Sequence, residues 1–285
     1  MKASVAAVVL EYRAPAHTSK CVRALLEQGI SDIFVIDNSD DDGATFATLT
    51  ALLPNEPRLH LEQSSSNLGF AAGVNMGLVR AKNKSAADRV LIINNDAIPQ
   101  AGLVELLAGA LEENVERLIA FPSLMHAGTM VREVYYHRWL ATLGERSGMG
   151  AFRIPRGCCM MVATERLPGA LFDESFFMYG EEIALGWRLH KEPEALCYVP
   201  TALAVHEGSV GSKLGSPFYE ERTAAAHFLL TSRLAKWPGE SFLLAVVRTP
   251  AILLRAILRS LRALSLRPLM SLYPAWRIAC AADKH

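Results

Sequence analysis

Along the first 125 residues the pattern of apolar and polar positions switches repeatedly between two periods. Short runs dense in Val, Ile and Leu occur at "SVAAVVLEY" (4–12), "DIFVID" (32–37), "LHLEQ" (59–63), "RVLIIN" (89–94) and "RLIAFPSL" (117–124). Between them stand helical patterns: "TSKCVRALLEQG", "ATFATLTALL", "AAGVNMGLVRAKN" and "PQAGLVELLAGALEEN". Strands apolar on both faces and separated by helices predict an α/β fold, an open, mostly parallel sheet with helices on both faces. Gly29 and Asn114 stand where helix C-caps belong, and Pro99 suits a first helical turn. The fourth run ends in "NND" (94–96), at the carboxyl edge where such sheets bind ligands.

From 126 to 240 the pattern loosens. "YYHRWLATLGERSGMGAFRIPRG" reads as a long polar and aromatic connection, followed by strand-like "CCMMVAT", the helical "EEIALGWRL" and strand-like "ALCYVPTALAVH". From 241 to 285 the period is helical again. Arg248, Arg255, Arg259 and Arg262 fall on one face with Leu, Ile and Ala on the other, while Pro250 and Pro268 divide the run into shorter segments. This C-terminal amphipathic segment suits the surface of an anionic bilayer; packing on the body or on a second copy is the alternative.

Composition narrows the class. Hydrophobic residues make up 51% of the 285 and charged residues 20%, as in a folded protein. The 29 basic and 29 acidic residues balance overall but not locally. Residues 241–282 hold six arginines and no acid, which leaves 22 basic against 28 acidic residues in 1–240, a formal charge of −6. An acidic body with a basic tail argues against general nucleic-acid binding and for one local anionic partner. Five cysteines, odd in number and without a CxxC pair, read as reduced, buried thiols in a cytoplasmic protein, not as a zinc site. The start, "MKASVAAVVLEY", reads as a strand and not as a signal peptide, and no stretch has 18 uninterrupted apolar residues for a membrane span.

Five stretches carry candidate chemistry. Asp37, in "IDNSDDDG", ends the second strand, where it can accept from an imide N–H or a sugar hydroxyl or simply shape a turn. "SNLGFAAGVNMG" spaces Gly69, Gly73 and Gly77 by four, which fails the dinucleotide fingerprint and fits either close ligand approach or helix packing. Asp96, after Asn94 and Asn95, can hold a divalent cation against a diphosphate or cap the next helix. Glu181 and Glu182 head a helix, where the macrodipole favours negative charge by about 0.3–1 kcal/mol each. Their mutual repulsion in an apolar setting would also raise an apparent pKa toward that of a general base. His206, after a strand and before "EGSVGSKLGS", is either structural or a ligand.

Taken in order, "VIDNSDD", "NLGFAAGVNMG", "LIINND", "GCCMMV", "FFMYGEE" and "VHEGSVGS" resemble the inverting, nucleotide-sugar-dependent glycosyltransferases of family 2, nearest their bacterial rhamnosyltransferase-like branch. The resemblance runs from about residue 4 to 236. It implies a GT-A fold, a UDP- or dTDP-sugar donor, and Mg²⁺ or Mn²⁺. Residues 1–125 would be the nucleotide-sugar half, 126–240 the acceptor and catalytic half, and 241–285 a basic tail. Asp37 matches the aspartate that binds the pyrimidine base; Asn67, Gly69 and Asn75 match the signature shaping the nucleotide pocket. Asn95 and Asp96 lie in the DxD-like stretch, with Asp96 at the metal and diphosphate. Glu182 aligns with the base that deprotonates the acceptor hydroxyl, with Glu181 its partner, and His206 with a late histidine near the metal.

The sequence departs from the family in three ways. The pair is Glu-Glu where Glu-Asp is usual, Ala184 stands where a further acid is common, and Glu11 and Arg13 replace frequent asparagines. A transferase acting in cell-surface polysaccharide or glycolipid assembly, on a glycan or lipid-linked acceptor at the inner face of the cell membrane, is the expectation. A degenerate relative that only binds nucleotide sugar, or scaffolds a membrane assembly, is the alternative. A sugar-nucleotide pyrophosphorylase would need a glycine-rich basic loop after the first strand, and "EYRAPAH" has no glycine.

Overall fold

The computed structural model describes residues 4–207 and 215–283. The glycine-rich stretch after His206, at 208–214, lies outside them. The chain begins β1 (Val5–Glu11), α1 (Pro15–Leu26), β2 (Asp32–Asp37), α2 (Ala44–Leu52), β3 (Leu59–Gln63), α3 (Gly69–Lys84), β4 (Arg89–Asn94), β5 (Ala97–Pro99) and α4 (Leu103–Glu113). It continues through β6 (Ile119–His126), β7 (Thr129–Val131), β8 (Val134–His137), β9 (Thr142–Gly144), β10 (Ala151–Ile154), β11 (Cys159–Ala163), α5 (Glu181–Leu189) and β12 (Leu196–His206). It closes with α6 (Pro217–Arg233), α7 (Glu240–Ala263), α8 (Arg267–Met270) and α9 (Leu272–Ala282).

Among the described residues the main sheet has nine strands in the order β3-β2-β1-β4-β11-β6-β12-β5, with β7 on β6. β3, β2, β1 and β4 run parallel, as do β6 and β12, while β11, β5 and β7 run against their neighbours. Two apolar layers form because β1, β2 and β4 are buried on both faces. Val9, Val35 and Ile93 pack with α1 and α4 on one side, and Val8, Phe34 and Ile92 pack with α3 on the other. Gly73 and Gly77 permit this: a Cβ on either would lie 2.6 Å from Leu10 Cδ1 or 2.4 Å from Val8 Cγ1. Their spacing therefore serves helix packing on β1.

Two expectations need correction. Pro99 does not open a helix; it pairs with Ala204 in β5, and α4 starts at Leu103 after Gly102. The long connection after β7 is not irregular throughout, because β8, β9 and β10 form a small antiparallel sheet. Its inward residues, Val134, Tyr136, Phe152 and Ile154, share a third core with α5, α6, α7 and α9. The thiols divide as well: Cys21 and Cys159 are buried, Cys158 and Cys197 half-buried, and Cys280 exposed.

The tail helix is amphipathic in the opposite sense to a basic surface helix. Arg248 is fully buried, and Arg255 and Arg259 turn onto the body. Its other side exposes Phe242, Val246, Leu254, Leu258 and Leu261. The helix is 24 residues long with a mean hydropathy of 1.8 over its most apolar window, so length and composition alone would let it cross a membrane. Uninterrupted apolar length thus understates its lipophilicity.

Candidate active site

A cleft of about 920 Å³ opens where the strands of the main sheet end. Asn38, Asn67, Gly69, Asn94, Asn95, Asp96, Glu181, Glu182 and His206 all line it.

On the wall after β1, β2 and β4, Asn38 organises the loop. Its amide donates to Asn67 Oδ1 and to the Gly69 carbonyl, both at 3.1 Å, and its oxygen accepts from Leu68 N–H at 2.8 Å. Asn67 Oδ1 in turn accepts from Gly69 N–H at 3.0 Å. Gly69 has φ +78°, and a Cβ there would lie 2.3 Å from the Phe177 carbonyl oxygen. Only glycine lets Phe70 N–H reach that carbonyl, at 2.6 Å, which ties α3 to the segment leading into α5.

Asp37 is fully buried and does not line the cleft. Oδ1 accepts from Ser39 N–H at 3.1 Å, whereas Oδ2 has no hydrogen-bond partner among the described residues, leaving a free acceptor directly behind Asn38. Asn75 is not brought to the cleft either. Its amide donates to the Phe172 carbonyl and Glu174 and accepts from Phe172 N–H, at 2.9, 2.9 and 3.1 Å, so its polar atoms are spent on backbone support. Glu11, one of the departures, is a structural brace. It accepts from Ala14 N–H, Thr18 Oγ1 and Asn95 Nδ2, and thereby fixes the start of α1 against the Asn95 turn.

Asp96 is buried, and neither carboxylate oxygen makes a hydrogen bond among the described residues. His206 Nε2 stands 3.1 Å from Asp96 Oδ1, also without a hydrogen bond. A carboxylate with two orphaned oxygens is costly unless a cation completes it. The remaining nitrogen of His206 lies 3.0 Å from His126 Nδ1. When His206 Nδ1–H donates to His126, Nε2 keeps its lone pair toward Asp96, an outer contact of the kind that orients metal-binding histidines. His126 carries no motif of its own; its position opposite His206 comes from the β6–β12 register. Among the described residues no group of three or more His, Cys, Asp or Glu side chains is arranged to hold a metal. Asp96 and His206 fit a hard cation that takes its other ligands from diphosphate oxygens and water.

The opposite wall presents the glutamates. Gly180, at φ +92°, starts α5, and a Cβ there would crowd Phe176 and Ala226 at 2.9 Å. Glu181 is buried with Oε2 unpartnered, and burial together with the Glu182 charge pushes its carboxyl up to about 8. Glu182 is also raised by burial. It accepts Gly157 N–H at 2.9 Å and feels the Arg156 charge, both of which favour its anion. The Glu182 charge raises Glu181, whereas the Gly157 amide and the Arg156 charge favour the anion of Glu182. Burial and Glu182 push the Cys158 thiol up to about 12, so that neighbour is no nucleophile.

The far end of the cleft is made of Tyr136, Thr223, His227, Arg255 and Arg259 from β8, α6 and α7. No sequence motif marked these residues. The only signal was the regular arginine spacing in a segment without acids.

The sheet order, the polar ends of β2 and β4, and the glutamates facing them define a GT-A fold. The model of the family described as "Glycosyl transferase family 2" matches residues 7–165, and the chain belongs to that family. Solved structures agree on the fold. GalNAc-T7 with UDP, GalNAc and Mn²⁺ superimposes with a TM-score of 0.65 at 10% identity over 87% of this chain. The chain spans 51% of the length of that protein. The mannosyltransferase PcManGT from Pyrobaculum calidifontis, in complex with GDP-Man and Mn²⁺, gives 0.57 at 15% identity, covering 100% of this chain and 76% of its own. S. aureus TarS 1-349 gives 0.55 at 12% identity, covering 98% and 79%. No curated protein matches the chain.

Proposed function

We propose that this protein is a metal-dependent, inverting glycosyltransferase that moves a sugar from a UDP- or dTDP-sugar to an acceptor hydroxyl in bacterial cell-surface polysaccharide or glycolipid assembly. One observation carries the reading: orphaned Asp96 with His206, and the raised Glu181–Glu182 pair, line a single cleft. Glu182 takes the proton as the acceptor oxygen attacks the anomeric carbon from the face opposite the leaving diphosphate. Asp96 and His206 would hold Mg²⁺ or Mn²⁺, which supplies positive charge to the departing diphosphate. Asp37 is buried and outside the cleft lining, so the choice of a pyrimidine nucleotide rests on the family resemblance and not on a contact made by Asp37. A single displacement needs one base, so Ala184 does not remove the chemistry.

The outward apolar face of α7 supports a second element of the proposal, peripheral attachment to an anionic membrane at its cytoplasmic side. Exposed Arg262, Arg267 and Arg277 flank that face, with Tyr273 and Trp276 beside them, a pairing of cationic and aromatic groups suited to a lipid headgroup layer. Co-flotation with liposomes tests it.

Thermal unfolding with UDP, dTDP and GDP, each with and without Mn²⁺, tests the donor site. At 100 times its dissociation constant a ligand adds about 2.7 kcal/mol. One pyrimidine diphosphate should raise Tm only with Mn²⁺, and Asp96→Asn should remove the rise. A metal-independent rise, or none in any combination, would leave the fold without this donor chemistry and favour the scaffold alternative.

A further inference from the structure

The far end of the cleft has more donors and more positive charge than its surroundings satisfy. Arg248 is fully buried in a protein interior, yet its guanidinium reaches only neutral oxygens: Tyr136 Oη at 2.6 Å and the carbonyls of His227 and Leu230 at 3.3 and 3.4 Å. Its Nε makes no hydrogen bond. Arg255 donates to the Ala141 carbonyl and to His227 Nε2. Among the described residues, no carboxylate forms an ion pair with either arginine. Arg259, by contrast, is paired with Glu220, and Arg138 with Glu240.

Hydrogen-bond bookkeeping sharpens the imbalance. Arginine only donates, so His227 Nε2 must accept from Arg255 and the ring must be neutral, with its proton on Nδ1. Burial and the two arginines, which push His227 well below its ordinary range, require the same state. Nδ1–H then donates to Tyr136 Oη at 3.2 Å, and Arg248 donates to that same oxygen. Both lone pairs of Tyr136 are taken, so its own hydroxyl hydrogen is left to donate. Thr223 Oγ1, on the same wall, is buried without a partner. The wall thus offers spare donors and two guanidinium cations without a paired carboxylate. Buried charge left in this state is costly, and a group that only accepts and carries negative charge relieves it.

We propose that Tyr136, Thr223 and Arg255, backed by Arg248 and His227, form an anion subsite for a phosphate ester on the acceptor substrate, separate from the donor diphosphate at Asp96 and His206. The assignment to the acceptor rests on the transferase reading. The subsite itself rests on the donor excess alone. Phosphate oxygens accept from several donors at once and bind guanidinium strongly, and α7, which supplies Arg255, turns its other face outward to the proposed lipid layer.

Calorimetric titration of the full chain tests this with inorganic phosphate, decyl phosphate and, as neutral control, decyl glucoside. Each is added with and without saturating UDP and Mg²⁺. Decyl phosphate is expected to bind whether or not UDP and Mg²⁺ are present, with Arg255→Gln weakening it about tenfold and decyl glucoside unaffected by the substitution. Thr223→Val, nearly isosteric, should weaken it several-fold and guards against a folding artefact. Equal affinity for inorganic phosphate would assign the site to free phosphate and overturn the acceptor claim. Competition between decyl phosphate and UDP, or unchanged affinity in Arg255→Gln, would overturn the separate subsite. Because no transfer is measured, phosphate binding that persists in a protein without UDP binding would cost the transferase reading and leave the anion site standing.

Discussion

At the scale of single residues, the two adjacent glutamates do different work because their surroundings differ. Glu182 is held by the Gly157 amide and faces Arg156, whereas Glu181 is buried with an unpartnered oxygen. Glu182→Gln is expected to lower transfer by about 10²–10⁴-fold while UDP binding with Mn²⁺ survives. Unchanged turnover would remove Glu182 as the base. Glu181 makes a separate prediction about stability. Its carboxyl titrates near 8 in the fold and near 4.5 when unfolded, so the folded state retains a proton that the unfolded chain releases between those values. The associated stability is complete below about pH 4.5 and is lost as pH rises to about 8. Glu181→Gln should flatten urea-unfolding stability over that window, and a slope equal to wild type would show that Glu181 is not the buried acid.

At the scale of elements, the segment between β11 and α5 decides where the glutamates sit, and Asn75 on α3 holds that segment. Asn75→Ala leaves the buried Phe172 N–H and C=O without partners, a loss of about 2–3 kcal/mol by urea titration. Transfer should fall while affinity for nucleoside diphosphate changes little; weakened nucleotide binding would return Asn75 to the role its motif implies. The strands β1, β2, β4, β6 and β11 were legible from their apolar runs, because burial on both faces leaves an unambiguous composition; β3 and β12, only partly buried, showed interrupted apolar runs. Pro99 misled because a proline at the head of a helical pattern looks like a helix start, whereas its pairing partner Ala204 is 105 positions away. β8 and β10 were hidden by short alternating runs whose polar half, Tyr135, His137 and Arg153, dominates the local composition. Asp96, Glu181, Glu182 and His206 stood out because a polar group after an apolar run is informative. Tyr136, Thr223 and His227 did not, since only tertiary packing gathers them.

For the molecule as a whole, the orientation of α7 reverses what spacing alone implied. Arginines that would have faced lipid headgroups are fixed to the body, so apolar area, not charge, should dominate attachment to membranes. The full chain is expected to float with anionic liposomes and to keep floating at high salt. Replacing exposed Leu254 and Leu258 together by Glu should abolish flotation without lowering Tm. Loss of flotation in salt would point to Arg262, Arg267 and Arg277 instead, and a concentration-dependent dimer abolished by the same substitutions would assign the face to a second copy. The chain order of the cleft has a further consequence, for synthesis. Asp37 to Asp96 can be in place early, but Arg248 and Arg255 arrive only after the chain passes Glu240. A ribosome-bound chain has half a cleft; its far wall and the outward apolar face of α7 come into existence together, because one helix carries both.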